Sequence, residues 1–203
     1  MRTDDRTEEQ VLVMRAQRGE QEAFRVLVER YQDLAYTLAL RLVKRPEDAQ
    51  DVAQEAFLSA WKALPKFRMD AKFSTWLYRL TVNAATDLLR KRREEQSLED
   101  EAHPVVLADP APGPQEQAEQ GERRAILRRC IGELSENHRR ILVLREMNGL
   151  DYQEIGQVLE LSPGTVKSRL ARARRELREK LLESGNYFAP PPSKQQKGGE
   201  GVE

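Results

Sequence analysis

Apolar residues recur three and four positions apart through most of this chain, the spacing of a helix face turned toward a core. A short helix is predicted over residues 7–18, stopped near Gly19. A longer one follows, carrying Phe24, Leu27, Val28, Tyr31, Ala35, Leu38 and Leu42 and closing before Pro46. A third runs from Glu47 to Leu64 on Val52, Ala53, Ala56, Phe57, Ala60 and Leu64, and Pro65 interrupts it. After a polar loop over 65–72, a fourth begins near Ser74 with the stripe Phe73, Trp76, Leu77, Leu80, Ala84 and Leu88. It ends in Arg90-Lys91-Arg92-Arg93. Residues 5–93 therefore read as one four-helix domain.

The pattern then lapses. Residues 94–121 are rich in Glu, Gln and Pro with no helical period, and read as a flexible acidic linker. Periodicity resumes near Glu122 with Ile126, Leu127, Cys130 and Ile131, a helix that runs to Leu134. Ser135 stands where a cap opens the next helix, which places Ile141, Leu144 and Met147 inside and stops at Gly149. Asp151-Tyr152-Gln153-Glu154 matches a capping box before Ile155, Val158 and Leu159. Ser162-Pro163-Gly164 then starts a long helix to about Leu182. The second domain spans 122–183, and 184–203 reads as a disordered tail. The fold class is all-α: a four-helix N-terminal domain and a C-terminal helix-turn-helix domain joined by the flexible acidic linker.

The last two helices carry the clearest chemistry. Val166, Leu170, Ala173, Leu177 and Leu181 fall on one side of the long helix and face the core. Gly164, Ser168, Ala171, Arg172 and Arg175 then lie opposite, flanked by Lys167, Arg169 and Arg174. Small residues let a backbone approach a DNA groove, long cations reach guanine edges, and flanking cations neutralise phosphates. A basic surface helix in a protein–protein module has the same composition. In the first domain, Phe67, Phe73, Trp76 and Tyr78 lie among Lys66, Arg68, Lys72 and Arg79. That mixture suits unstacked single-stranded bases, and equally an aromatic core edged by solvated lysines and arginines.

Composition sharpens this picture. The formal net charge is +0, yet Lys62–Arg93 holds nine basic residues against two acids, and Glu94–Glu122 nine acids and no Lys or Arg. Two basic blocks, the second over Ser162–Lys180, flank an acidic one, as two anion-binding surfaces on one string would. The single cysteine, Cys130, excludes an intramolecular disulfide framework and a multi-cysteine metal site. No apolar run approaches the roughly 18 residues of a membrane span, so the expected location is cytoplasmic, without membrane insertion. His103 and His138 have no evident nucleophile or metal partner, and no phosphate-loop or zinc-protease motif is present. The expectation is no enzyme, no metal and no cofactor.

Four stretches together resemble bacterial sigma factors of the extracytoplasmic-function group, the smallest members of the sigma-70 family. They are AQRGEQEAFRVLVERY, DAQDVAQEAFLSAWKALPKF, KFSTWLYRLTVNAATDLLRKRR and LSENHRRILVLREMNGLDYQEIGQVLELSPGTVKSRLARARREL. The resemblance covers residues 12–93 and 122–182. It implies a promoter-specificity subunit of RNA polymerase. Asp48, Asp51, Gln54, Glu55 and Phe57 match the segment that docks on the clamp helices of the largest polymerase subunit, and the second domain would meet the flap of the second largest. By similarity Phe67, Leu80 and Asn83 would line the pocket for a base flipped from the −10 element, while Arg68, Lys72 and Arg79 hold the backbone. Gly164, Thr165, Lys167, Ser168, Arg169, Ala171, Arg172 and Arg175 match the segment that reads the −35 element. Some relatives carry a bulky aromatic where this chain has Ala171. The linker resembles the segment threaded through the polymerase cleft, and the group's habit implies control by an anti-sigma factor. A conventional helix-turn-helix regulator, dimeric on a symmetric operator, shares only the second-domain pattern.

Overall fold

The computed structural model describes residues 3–96 and 116–184, and every regular element among them is helical. The first four are α1 (Thr3–Gln17), α2 (Gln21–Val43), α3 (Pro46–Ala63) and α4 (Phe73–Gln96), with a 3-10 turn at Leu64–Lys66. Gly19 sits at φ 89°, in the left-handed region where glycine is unstrained, and separates α1 from α2. Pro46 occupies the first turn of α3, where its missing N–H has no partner to lose. α2, α3 and α4 pack on one another, and α1 lies against α2 and the 3-10 turn. Leu27, Leu64, Phe73 and Leu77 are fully buried among them.

The remaining elements are α5 (Glu116–Glu133), α6 (Glu136–Leu142), a π turn (Val143–Met147), α7 (Tyr152–Leu159) and α8 (Pro163–Glu183). Two expectations about the linker change. α4 continues to Gln96, and α5 begins at Glu116; in α5, once Ile126 and Cys130 are buried, good helix formers upstream extend the same helix. The rest of that stretch, 97–115, lies outside the described residues, as does 185–203. Ser135 starts α6 without a side-chain cap bond; its backbone N–H donates instead to Glu176 Oε1 on α8 at 3.2 Å. Met147 turns outward, 39 % exposed, since the π turn rotates its face away from that of Leu144.

Glu176 ties the start of α6 to α8 through His138 and Ser135. The His138 hydrogen bond is the main reason its carboxyl lies below the usual carboxylate range. A carboxylate depressed on folding stabilises above its unfolded pKa of about 4.3 and loses that contribution as pH falls through the lower folded value. The stability gap between the wild type and Glu176→Gln is therefore expected to be full at pH 6 and to shrink with acidification below about pH 4, read by thermal melts across pH.

Gly156 sets the turn between α7 and α8. Leu161 N–H donates to Gly156 O at 2.9 Å, and a Cβ at Gly156 would come within 2.8 Å of Leu161 O. That oxygen is backbone and cannot rotate away. Gly156→Ala is expected to destabilise the second domain by about 1–3 kcal/mol, the usual range for overpacking, in a urea titration.

The two domains share a core. Tyr78, Val82 and Ala85 of α4 are buried with Leu142, Leu144, Leu150, Ile155 and Val158, and α7 packs on α4. Charged side chains lock this contact by donating to carbonyls of the other domain. Arg41 reaches Met147 O (3.0 Å), Arg139 reaches Leu42 O (3.0 Å), and Lys44 reaches Gly132 O. Several of these carbonyls end helices, where partial negative charge collects. Burial lowers the pKa of Arg41, Lys44 and Arg139 from their ordinary values, so the bonds form at a desolvation cost.

Candidate nucleic-acid interface

α8 begins where four local choices agree. Glu160 adopts a left-handed φ of 55°, Ser162 accepts from Thr165 N–H at 3.2 Å, Pro163 fills the first turn, and the α7 capping box of Asp151 and Glu154 is formed. Val166, Leu170 and Ala173 are then buried, which fixes the helix's rotation. Gly164, Lys167, Ser168, Ala171, Arg172 and Arg175 stand exposed, and Thr165 and Arg169 are half-buried beside them. Among the described residues, Lys167, Arg172 and Arg175 have no ion-pair partner, so their positive charge faces outward uncompensated. Ser168 Oγ donates to Thr165 O at 3.1 Å and lies flat on the helix.

Arg174 differs from its neighbours. It is bound to Glu146 by two bonds of 3.0 and 2.6 Å, which hold its guanidinium pKa above the ordinary value. It braces α8 on the π turn, where sequence periodicity alone put it on the phosphate flank.

In the first domain the aromatic residues form a core. Phe67 is 7 % exposed and stacks on Trp76 with ring centroids 4.5 Å apart and planes at 19°. Phe73 meets both rings edge-on or tilted. Phe67 therefore offers no free face to a base in this conformation; it supports the loop above it, where Met69 is left-handed at φ 55°. Arg68 and Asn83 are exposed, and Arg79 and Leu80 half-buried. Arg79, Leu80 and Asn83 share the side of α4 opposite Tyr78, Val82 and Ala85, so the second domain leaves that side uncovered. Lys72 is engaged: its Nζ donates to Glu154 Oε1 of α7 at 2.8 Å.

The acidic face of α3 also divides. Asp51, Gln54 and Glu55 are exposed one turn apart. Asp48 is buried and accepts from Arg92 at 2.7 Å, clipping the end of α4 to the start of α3, while Phe57 packs in the core. These two residues, expected to meet polymerase, are thus internal supports. Leu58, 46 % exposed, completes the outer face and was missed because its spacing fits neither stripe. No cluster of three metal-ligating side chains occurs among the described residues, and no described helix is long and apolar enough to cross a membrane.

Residues 27–95 match the sigma-70 region 2 family and residues 124–177 the sigma-70 region 4 family. The chain is 40% identical over 181 residues to the RNA polymerase sigma-H factor of Pseudomonas aeruginosa, covering 86% of this chain and 94% of that one. It is 39% identical over 180 residues to the ECF RNA polymerase sigma-E factor of Escherichia coli K12, covering 85% and 94%. Among solved structures, CnrH in complex with the cytosolic domain of CnrY is similar with a TM-score of 0.64 and 30% identity, over 88% of this chain and 99% of that one.

Proposed function

We propose a division of labour from one premise: this chain belongs to the sigma-70 family, in its extracytoplasmic-function branch, and directs promoter-specific transcription initiation. The second domain reads −35 duplex through the exposed side of α8. Lys167 and Arg172 approach base edges, Arg175 and Arg169 approach phosphates, and Gly164, Ser168 and Ala171 leave room for the backbone. The first domain docks on the clamp helices of polymerase's largest subunit through Asp51, Gln54 and Glu55, with the flap of the second largest meeting the second domain. It opens the −10 element along Arg68, Lys72, Arg79, Leu80 and Asn83, with Phe67 as the floor beneath. Unpairing a base takes a few kcal/mol, which binding supplies without nucleotide hydrolysis by this chain.

The one observation that carries this reading is α8, whose buried Val166, Leu170 and Ala173 set outward cations that no acid among the described residues neutralises. It also requires the domains to part. Elements named for positions 35 and 10 base pairs upstream lie on the order of 80 Å apart along B-form DNA. A compact chain of this size measures only about 40 Å across, so both readers cannot engage while α7 lies on α4. Opening would free Lys72 from Glu154.

An anti-sigma polypeptide that holds the domains together fits the same geometry, and the site of action is the cytoplasm. Run-off transcription with core polymerase tests the assignment: a discrete transcript that depends on this chain is expected. A symmetric footprint by the chain alone, with no transcript when core is added, would point to a conventional helix-turn-helix regulator.

A further inference from the structure

The second domain lies along the length of α4, the helix that carries Arg79, Leu80 and Asn83. Hydrogen bonds meet its middle: Asn148 Nδ2 donates to Tyr78 Oη at 3.3 Å, and Arg140 Nη1 donates to Thr86 Oγ1 at 3.0 Å. Ion pairs close its two ends. Lys72, just before the first turn, meets Glu154 of α7 at 2.8 Å, and Arg93 in the last turn meets Glu136 of α6 at 3.3 Å. At a rise of 1.5 Å per residue these ends lie about 30 Å apart.

In both pairs the first domain supplies the cation and the second the acid. Lys72 and Arg93 belong to the basic block that suits an anionic partner, so the two carboxylates take places that phosphates would favour. Glu136 holds more than Arg93. It also pairs with Arg140 at 3.2 Å, and its charge supports the cation of Arg139, which Arg140 and burial oppose. Neutralising Glu136 therefore leaves arginines from both domains facing one another without their common acid.

We propose that the closed arrangement is a self-inhibited state of the free chain, latched by Glu136 and Glu154 at the two ends of α4. This inference rests on the promoter-reading function above, which requires the domains to part. Only the open fraction of the chain is then competent for polymerase and promoter, and its apparent affinity falls by that fraction. A domain boundary so rich in charged and polar bonds is reversible, as such contacts within a chain generally permit domain motion. The exposed side of α8 faces outward in the closed state, so an isolated −35 duplex does not require opening.

The test compares the full chain with its Glu136→Gln, Glu154→Gln double variant. Glutamine at position 154 keeps an oxygen for the Asp151 N–H, so the capping box survives. Small-angle scattering is expected to give the variant a larger radius of gyration. Run-off transcription, titrated at fixed core polymerase, is expected to reach half its plateau at about one fifth of the wild-type chain concentration, since each exposed ion pair biases the equilibrium a few-fold. The plateau and the affinity for an isolated −35 duplex are expected to stay unchanged, a split that general loosening of the fold would not produce. The opposite lever is an Arg93→Cys, Glu136→Cys chain joined by a cleavable bismaleimide, expected to give no transcript until the linker is reduced. An opened double variant that needs as much chain as the wild type, or a transcript made with the linker intact, would overturn self-inhibition. A double variant as compact as the wild type would overturn the latch. No transcript from the wild type at any concentration would overturn the promoter reading, and the proposal with it.

Discussion

Replacing Arg139 with alanine is expected to cost about 2–4 kcal/mol, the largest single effect where the two domains meet. Its guanidinium is mostly buried and donates to Leu42 O at 3.0 Å and to Leu134 O at 3.2 Å, so it ends one helix in each half of the chain. A hydrogen bond to a charged group contributes about 1.5–3 kcal/mol net, and a buried carbonyl left without a donor adds its own penalty. Against this stands the desolvation of the cation, which lowers its pKa and makes the sum smaller than two full bonds. Lysine at the same position reaches one carbonyl and is expected to recover about half. Chemical denaturation measures the loss, and small-angle scattering measures its consequence, a larger radius of gyration as the halves separate. An Arg139→Ala chain as stable and as compact as the wild type would mean that the closed arrangement is not held by these bonds.

The second large effect concerns DNA. Arg172→Ala or Lys167→Ala is expected to reduce discrimination between the cognate and a scrambled −35 element by about 1–3 kcal/mol for each base edge no longer read. That is a fall of roughly 5- to 150-fold in the affinity ratio of the holoenzyme, measured by competition binding at fixed salt. Both side chains are exposed and neither has an ion-pair partner among the described residues, so fold stability is expected to stay within about 0.5 kcal/mol. Arg175→Ala is expected to behave differently, weakening cognate and scrambled DNA alike and flattening the salt dependence by about one phosphate. The exposed Ala171 leaves an open space on the same face. A larger side chain there would alter which base is tolerated without disturbing Val166 or Leu170 beneath it.

The start and rotation of α8 were legible in sequence. Ser162, Pro163 and Gly164 announce its start, the stripe from Val166 fixes its rotation, and the cations then have one direction left to face. The capping box of α7 was legible for the same reason: both effects are local, with partners three or four residues away. What escaped depends on residues far apart. Arg139, Arg41 and Lys44 donate to backbone carbonyls, and a carbonyl carries no side-chain signature for sequence reading to find. The packing of Tyr78, Val82 and Ala85 on α7 was hidden because α4 looked complete with the stripe from Phe73 to Leu88. A helix with two buried faces reads as having one when only the stronger stripe is counted.

Charge and aromatic content misled in instructive ways. Phe67 sits among Lys66 and Arg68, a mixture that fits either stacking on unpaired bases or an aromatic core; its burial against Trp76 shows the core. Asp48 stands near Asp51 on one acidic run, yet Arg92 draws it inward and leaves Asp51, Gln54 and Glu55 as the outward set. Arg174 fell among the flanking cations by spacing, and only the π turn, which brings Glu146 to it, removes it from that group. For Asp48 and Arg174 the deciding partner lies more than twenty residues away.

The proposed reading of the −35 element rests on the outward face of α8. Dimethyl sulfate probing of guanine N7 across the −35 element, in the complete polymerase–promoter complex, reads that face directly. Protection of at least one guanine N7 by the wild type, abolished in Arg172→Ala or Lys167→Ala while −10 opening persists on a strong promoter, is the predicted result. A −35 major groove left equally reactive with and without this chain, in a complex that still transcribes, would contradict it.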